Sequence, residues 1–232
     1  IAESSNIGTV HINEKLGPRR QQAFLERAGL MERAPVELAG SAAPILPEKF
    51  DDLTAATASY GHGIAVTPMA FLSAFAAFAN GGERVPPTLV VDETRKPEPV
   101  RIMSALTADI VNAMMREAVL HGTGRNAEVA GYHVAGKTGT AEKPVPGGYD
   151  DGANISSFAA IFPYDSPQYA LIVTLDDPKA GERGSVASQN AAPTAGRIIE
   201  RVAPLLGLAP RFEDPRPVGD RYRSPTDERT SL

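Results

Sequence analysis

Apolar residues recur at three- and four-residue intervals near both ends of the chain, and this spacing predicts helices there. The first helix begins near Ser4 and is interrupted at Gly17-Pro18, where glycine ends one helix and proline opens the next. A second helix is therefore predicted over residues 18–28, and a final one over residues 192–206. Residues 34–51 are rich in proline and alanine and are predicted to be irregular.

Two more helices are predicted in the middle of the chain. Thr67-Pro68 caps and opens a helix that continues through Ala79, and apolar residues cover most of its faces. Such a helix packs between layers of a core and is too short to cross a bilayer. An amphipathic helix is predicted over residues 107–121, with Thr107 as its N-cap and Gly122 as its stop.

Strands are predicted over residues 132–142, 156–163 and 169–175. The link between the last two is short enough for a hairpin, so they are predicted to be antiparallel neighbours. Residues 142–154, EKPVPGGYDDGAN, are predicted to form a mobile loop. Residues 82–100 alternate only weakly and are predicted to form short strands and a loop.

Composition excludes several classes of function. The net charge is −5 and no block of like charge occurs, which argues against a nucleic-acid partner. The chain has no cysteine, so disulfide frameworks, thiol catalysis and cysteine-bound zinc are excluded. Its 4 histidines form no metal-binding pair, and neither a metal nor a cofactor is predicted. The sequence contains no signal peptide and no apolar run long enough to span a bilayer.

Residues 134–143 read VAGKTGTAEK and carry candidate chemistry. On a strand, Lys137 and Gly139 share one face, while Thr138 and Thr140 share the other. Gly139 has no side chain, so a ligand can lie close to the backbone there. A cation, two hydroxyls and open backbone N–H groups are together typical of a site for a carboxylate and a developing oxyanion. An ordinary edge strand is the alternative interpretation.

Serine acyl-transferases with a Lys-Thr-Gly element also carry S-x-x-K and S-x-N elements. S-x-N occurs at Ser4-Ser5-Asn6 and at Ser188-Gln189-Asn190, and only the first precedes Lys-Thr-Gly. Ser4 and Asn6 are also ordinary helix-capping residues, and the local sequence leaves both interpretations open. None of the 6 lysines has a serine three residues before it, so S-x-x-K does not occur in this sequence. Because the chain also begins IAESSNIG, without Met, we expect it to be a piece of a longer protein.

Longer stretches resemble a known family. Residues 59–82 (SYGHGIAVTPMAFLSAFAAFANGG), 121–143 (HGTGRNAEVAGYHVAGKTGTAEK) and 187–208 (ASQNAAPTAGRIIERVAPLLGL) resemble class B penicillin-binding proteins. The resemblance is collinear over residues 1–208, and the proline-rich, charged residues 209–232 are predicted to be a disordered tail. KTGTAEK, YALIVTLDDPKAG and the closing helix are most similar to cell-division members of the FtsI type, with elongation-type relatives as the near alternative.

The resemblance implies an α/β fold of the penicillin-binding protein and serine β-lactamase type. In that fold helices flank an antiparallel sheet, and here it would be incomplete on its N-terminal side. The implied activity is that of a peptidoglycan D,D-transpeptidase: a serine attacks a D-Ala-D-Ala bond, forms an acyl-enzyme and passes it to an amine. The nucleophile and its lysine would lie in the upstream half of the same protein, which carries S-x-x-K.

The resemblance also implies roles for individual residues. Ser4 would relay protons, Asn6 would hold the acylated chain, and Lys137 would supply positive potential. Thr138 and Thr140, on either side of Gly139, would offer hydroxyls to the substrate carboxylate, and the Thr140 backbone N–H would form half of an oxyanion hole. Ser156 and Ser157 are expected to shape the wall of the site and Thr123 to line the cleft. A structural role is favoured over a catalytic one for Tyr60, His62 and Gly63.

The implied partners are peptidoglycan stem peptides, β-lactam antibiotics and membrane proteins of the division complex. The implied location is the periplasmic face of the bacterial inner membrane, with the anchor outside this chain. Two other classes stay open at this point: a β-lactamase or penicillin-sensing domain on the same fold, and a non-catalytic scaffold that keeps the fold for partner binding.

Overall fold

The computed structural model describes residues 1–92, 94, 97–145, 148–179 and 185–213. The helices in this part of the chain are α1 (Asn6–Leu16), α2 (Pro18–Arg27), α3 (Asp52–Ala58), α4 (Pro68–Ala76), α5 (Ala105–Leu120) and α6 (Ala191–Leu205), with a 3-10 turn at Arg125–Ala127. The strands are β1 (Glu83–Arg84), β2 (Val100–Arg101), β3 (Ala135–Val145), β4 (Gly148–Phe162) and β5 (Tyr169–Asp176). Each predicted helix is present, whereas α3 was not predicted.

The break between α1 and α2 follows from two adjacent residues. Gly17 has a φ of 80°, in the left-handed region that favours glycine, and its N–H donates to the carbonyl of Asn13. Pro18 then occupies the first position of α2, where no intrahelical N–H is needed. The sequence prediction of an interruption at Gly17-Pro18 is confirmed.

The predicted N-cap of α5 is wrong. Ser104 caps the helix, and its hydroxyl accepts a hydrogen bond from the Thr107 N–H at 3.1 Å. Thr107 therefore lies within the first turn and supplies the donor for the cap. Both residue types are good N-caps and they stand three positions apart, so sequence alone did not distinguish them.

A three-stranded antiparallel sheet in the order β3-β4-β5 forms the centre of the fold. In the first pair Lys137 lies opposite Ala159 and Thr140 opposite Ser156. In the second pair β4 and β5 form an antiparallel hairpin across residues 163–168, as the short link between them predicted. The much smaller sheet of β1 and β2 stands apart from it.

Residues 142–145 and 148–154 do not form the predicted loop, and residues 146 and 147 lie outside the described residues. β3 continues to Val145 and β4 begins at Gly148, with a register shift between Glu142 and Lys143. Tyr149 ties this hairpin arm to a distant loop, because its hydroxyl accepts a hydrogen bond from the Gly63 N–H at 3.0 Å. The Tyr149 ring also stacks on His62, with 4.7 Å between ring centroids. Cross-strand pairing and this docking therefore override the local preference for a loop.

Both faces of the sheet are buried. One face packs against α6, and its cluster includes Val134, Phe158, Ala160, Phe162, Val173, Ala195 and Ile199. The other face packs against α4 and α5, and its cluster includes Phe75, Met115, Ala135, Ala159, Ile161 and Tyr164. Alternate residues of β4 enter the two clusters, as the two-residue period of a strand requires.

Helix α4 is buried on two sides, since Phe75 packs on the sheet and Ala74 packs in a second cluster with Ala28 and Ile102. Phe75 is 4% exposed, while Phe71, one turn earlier, is 36% exposed. The prediction that α4 is buried between layers is therefore confirmed for Phe75 and Ala74, whereas Phe71 at the start of the helix is exposed.

The chain end runs back along the domain after α6. The Arg211 N–H donates to the Gly131 carbonyl at 2.8 Å, and the Arg211 guanidinium pairs with Asp165. The remainder of the predicted tail, residues 214–232, lies outside the described residues. Among the described helices, none combines the length and apolar character that crossing a bilayer requires.

Two glycines of β3 provide a test of the packing around this strand. A Cβ at Gly136 would lie 2.5 Å from both the Ala159 carbonyl oxygen and the Phe158 ring, whereas a Cβ at Gly139 would meet nothing within 4 Å. We expect Gly136→Ala to lower the free energy of unfolding by about 1–3 kcal/mol, because the buried Phe158 ring cannot move away without cost. Gly139→Ala, the matched control, should unfold like the parent in urea, and equal losses for both variants would contradict this account.

Candidate active site

The fold brings together two residues that are far apart in sequence. The Lys137 ammonium donates a hydrogen bond to the Ser4 hydroxyl over 2.8 Å, across 133 positions of the chain. Lys137 comes from β3, and Ser4 comes from the segment that leads into α1. The S-x-N element and the Lys-Thr-Gly element therefore meet, as their order along the chain suggested.

The backbone around Ser4 turns sharply before α1 begins. Ser4 has a φ of 52°, in the left-handed region, and its N–H donates to the Ile1 carbonyl at 3.2 Å. Left-handed conformations are unfavourable for residues other than glycine and occur preferentially at functional sites. The turn directs the Ser4 hydroxyl to Lys137 instead of to the amides of the helix.

Neither Ser4 nor Asn6 caps α1. The cap is Ser5, whose hydroxyl accepts a hydrogen bond from the Gly8 N–H at 3.1 Å. Asn6 is the first residue of the helix and is exposed. The capping interpretation, which the sequence had left open for Ser4 and Asn6, is therefore wrong for both residues.

Lys137 is a partly buried cation with a complete set of acceptors. Its ammonium donates to the Thr138 carbonyl at 2.8 Å and reaches the Thr138 hydroxyl at 3.4 Å, in addition to the Ser4 hydroxyl. These three acceptors match the three protons of an ammonium group. Burial lowers the pKa of Lys137 below its ordinary value, because the charged form loses hydration.

The rest of the Lys-Thr-Gly segment lies at the rim of the sheet. β3 is an outermost strand, so it presents backbone N–H and C=O groups on its open side. Gly139 and Thr140 are exposed, and nothing lies within 4 Å of the position that a Gly139 side chain would take. The Thr140 hydroxyl accepts a hydrogen bond from the Ala187 N–H at 3.0 Å, which leaves its own proton to donate. A ligand has room to approach the strand here.

Thr123, which was expected to line the cleft, makes a contact that the sequence did not predict. Its hydroxyl lies 2.8 Å from the hydroxyl of Thr138. Thr123 follows α5 and stands between two glycines, Gly122 and Gly124. A threonine bracketed by glycines shortly before the Lys-Thr-Gly strand was the available sequence signal, but no local pattern identifies the partner of its hydroxyl.

The other expected residues have structural contacts. Ser156 and Ser157 lie on β4 opposite Thr140 and Gly139, and the buried Ser156 hydroxyl donates to the Ser185 carbonyl at 2.6 Å. The second S-x-N element lies at the start of α6, where the Asn190 side chain accepts a hydrogen bond from the Ala191 N–H. In the described part of the chain, no group of three or more histidine or acidic side chains is arranged to hold a metal ion.

An antiparallel sheet with Lys-Thr-Gly on its rim, facing a serine that precedes a helix, defines a class of serine acyl-transferase. The chain belongs to the penicillin binding protein transpeptidase domain family, whose model matches residues 1–200. It is 40% identical over 223 residues to a probable peptidoglycan D,D-transpeptidase FtsI of Caulobacter vibrioides, covering 90% of this chain and 38% of that protein. It is 35% identical over 225 residues to penicillin-binding protein PbpB of Mycobacterium tuberculosis, covering 87% of this chain and 33% of that protein.

Solved structures agree with the fold. Penicillin binding protein 3 of Mycobacterium tuberculosis, complexed with ampicillin, superposes with a TM-score of 0.81 at 30% identity, covering 94% of this chain and 52% of that one. The transpeptidase domain of penicillin-binding protein 3 from Burkholderia pseudomallei also gives 0.81, at 32% identity, covering 90% of this chain and 64% of that one. The predicted α/β fold of the penicillin-binding protein type is confirmed. The chain spans well under half the length of the curated relatives that it matches.

The buried charge of Lys137 leads to a prediction about pH. Between its lowered native pKa and the ordinary value of 10.5, the unfolded state binds more protons than the native state, so stability rises with pH over this window. As pH rises through this window, we expect the free energy of unfolding of the parent to increase relative to that of Lys137→Met. Urea unfolding at a series of pH values measures the difference.

Lys143→Met is the matched control on the same strand. The hydrogen bond to the Asp176 carboxylate raises the pKa of Lys143, so its charge contributes a constant amount at every pH below the ordinary value. The difference in free energy of unfolding between the parent and Lys143→Met should therefore stay constant over that window. Parallel pH profiles for Lys137→Met and Lys143→Met would show that Lys137 titrates as an ordinary lysine.

Proposed function

We propose that this chain is part of a peptidoglycan D,D-transpeptidase that crosslinks stem peptides during septal cell-wall synthesis. A serine attacks the carbonyl of the D-Ala-D-Ala bond, D-alanine leaves, and the acyl-enzyme is transferred to an amine of a neighbouring strand. The observation that carries the proposal is the hydrogen bond between Lys137 and Ser4 at 2.8 Å, which joins the S-x-N and Lys-Thr-Gly elements typical of serine acyl-transferases.

The Ser4 hydroxyl is suited to proton relay. It accepts a hydrogen bond from Lys137, which leaves its own proton to donate to the leaving amine. When that proton leaves, the nearby ammonium stabilises the negative charge that develops on the oxygen, and its lowered pKa favours return of a proton. Asn6, exposed in the next turn, is proposed to hold the acylated chain through its side-chain amide.

The rim of β3 is suited to binding the substrate carboxylate and the oxyanion. Thr138 and Thr140 carry hydroxyls on the same strand face, and Gly139 between them leaves the approach open. The backbone N–H of Thr140 is proposed as one of two oxyanion donors, each worth about 3–4 kcal/mol of the barrier. Lys137 adds the positive potential that attracts a carboxylate.

The nucleophile is proposed to lie outside these residues. S-x-x-K does not occur in the sequence, and the relatives are more than twice as long as the matched region. The nucleophilic serine and its lysine would belong to the upstream half of the same protein, and the serine N–H would complete the oxyanion hole. The chain described here would then contribute one wall of the active site.

The names of the relatives support a role in cell division. One relative is named as an FtsI peptidoglycan D,D-transpeptidase, and one solved neighbour is a complex with ampicillin. We therefore propose that β-lactams acylate the protein, that it acts at the periplasmic face of the inner membrane with membrane proteins of the division complex as partners, and that its anchor lies outside this chain.

Penicillin acylation tests this function. We expect the full-length protein to be labelled covalently by a fluorescent penicillin, and the labelled tryptic peptide to lie outside residues 1–232. Lys137→Ala should slow acylation about 10- to 100-fold, because a charge-assisted hydrogen bond contributes about 1.5–3 kcal/mol. A gel-based time course gives the acylation rate constant, and mass spectrometry of the tryptic digest locates the labelled peptide.

Lys143→Ala is the control for this experiment, since Lys143 lies on the same strand and pairs with Asp176 away from Ser4. It should be acylated at the parental rate. Lys137→Arg should recover only part of the rate, because a planar guanidinium does not match the three acceptors of an ammonium. A labelled peptide within residues 1–232, or parental acylation of Lys137→Ala, would overturn the assigned roles.

Adjacent residues at the start of α1 separate ligand binding from helix capping. Asn6→Ala should slow acylation by a peptide-like substrate with little change in melting temperature, because Asn6 does not cap the helix. Ser5→Ala should do the reverse and lower stability by about 1 kcal/mol, since it removes the capping hydroxyl. Both quantities are measured on both variants, and an Asn6→Ala variant that loses only stability would rule out its proposed role.

A further inference from the structure

We infer that Thr123 is a positioning residue that orients the Thr138 hydroxyl toward the substrate carboxylate, an inference that rests on the proposed function. The two hydroxyl oxygens lie 2.8 Å apart, within hydrogen-bond distance. Neither residue is exposed, since both are partly buried beneath the rim of β3. The inferred role is to hold a hydroxyl proton in the direction that a ligand needs.

The direction of the hydrogen bond between Thr123 and Thr138 follows from the available donors and acceptors, given that Thr138 donates to the carboxylate. A hydroxyl has one proton to donate and two lone pairs to accept. The Lys137 ammonium, 3.4 Å away, has only protons to donate, so it can engage only a lone pair of Thr138. If the Thr138 hydroxyl donates its one proton to a ligand carboxylate, it must accept a hydrogen bond from the Thr123 hydroxyl as well. Thr123 is then the donor, and the proton of Thr138 points to the ligand.

Thr123 is itself held in place from both sides. Its backbone N–H approaches the Ala2 carbonyl at 3.4 Å, and a Cβ on Gly122 would lie 2.4 Å from the same oxygen. On the other side, a Cβ on Gly124 would lie 3.1 Å from the Ala118 carbonyl oxygen and 3.3 Å from the Phe158 ring. The turn after α5 therefore fits closely between the segment that carries Ser4 and the core beneath β3.

This placement gives Thr123 contacts with both elements of the site. Its N–H contacts the turn that leads to Ser4, and its hydroxyl contacts the residue next to Lys137. An isosteric change that removes only the hydroxyl should therefore leave the packing of the turn intact and disturb only the orientation of Thr138. That distinction separates a positioning role from a purely structural one.

The test uses the full-length protein, benzylpenicillin and benzylpenicillin methyl ester, which lacks the free carboxylate. We expect Thr123→Val to lower the acylation rate constant for benzylpenicillin about three- to tenfold, the value of one neutral hydrogen bond. The rate constant for the methyl ester should stay at the parental value. Thr123→Ser, which keeps the hydroxyl, should retain most of the rate with benzylpenicillin.

A double substitution tests whether Thr123 acts through Thr138. In Thr138→Val, adding Thr123→Val should cause no further loss with benzylpenicillin, because the hydroxyl that it orients is already absent. If valine disturbs the turn, as a lowered melting temperature would reveal, Thr123→Ala removes the same hydroxyl without adding an apolar group beside it.

Several results would overturn the inference. Parental acylation of Thr123→Val by benzylpenicillin, equal losses for the acid and the ester, or additive losses in the double variant would each do so. If the parent is acylated by benzylpenicillin, these outcomes overturn only the role inferred for Thr123. A parent that is not acylated by benzylpenicillin would instead overturn the proposed function, and the inference with it.

Discussion

The antiparallel pairing of β3 with β4 is the interaction on which the rest of the site depends. It holds the Lys-Thr-Gly segment at the rim of the sheet while the neighbouring residues of β4 enter the core on both faces. Gly136 permits this arrangement, since a side chain there would collide with Phe158, which is fully buried. Because the side-chain period of a strand is two, a slip of one residue would turn Lys137 away from Ser4. The packing of the core therefore determines the position of the Lys137 ammonium.

A partly buried ammonium is costly, and its surroundings explain why it persists. Loss of hydration lowers the pKa of Lys137, while the hydroxyl of Ser4 and the carbonyl and hydroxyl of Thr138 replace the lost water contacts. No carboxylate is among these acceptors, so the charge is solvated by dipoles and is not neutralised. An unneutralised cation with its hydrogen bonds satisfied keeps its attraction for an incoming anion. This is the electrostatic state that recognition of a substrate carboxylate requires.

Local chemistry made much of the fold predictable, and long-range contacts account for what was missed. The helix break at Gly17-Pro18 follows from residues that act within one turn, so sequence alone located it. The Lys-Thr-Gly segment was recognisable as a short strand with unusual chemistry. By contrast, residues 142–154 have the composition of a loop, but residues 142–145 and 148–154 extend β3 and β4, and Tyr149 docks on Gly63, 86 positions away in sequence. The partner of Thr123 was equally hidden, since it is set by how the turn after α5 packs against β3.

Three locally unfavourable features lie together at the candidate site. Ser4 adopts a left-handed backbone, Lys137 carries a charge with reduced hydration, and β3 leaves an open edge beside Gly139. Each of these works against stability or solubility when taken alone. A sequence selected only for folding would relieve them independently, with glycine at the turn, an apolar residue on the strand and a charged side chain at the rim. Their convergence around one hydrogen bond is what favours a binding and acyl-transfer site over an ordinary edge strand, because the same three features bring together a hydroxyl that can donate its proton, a cation and open backbone groups.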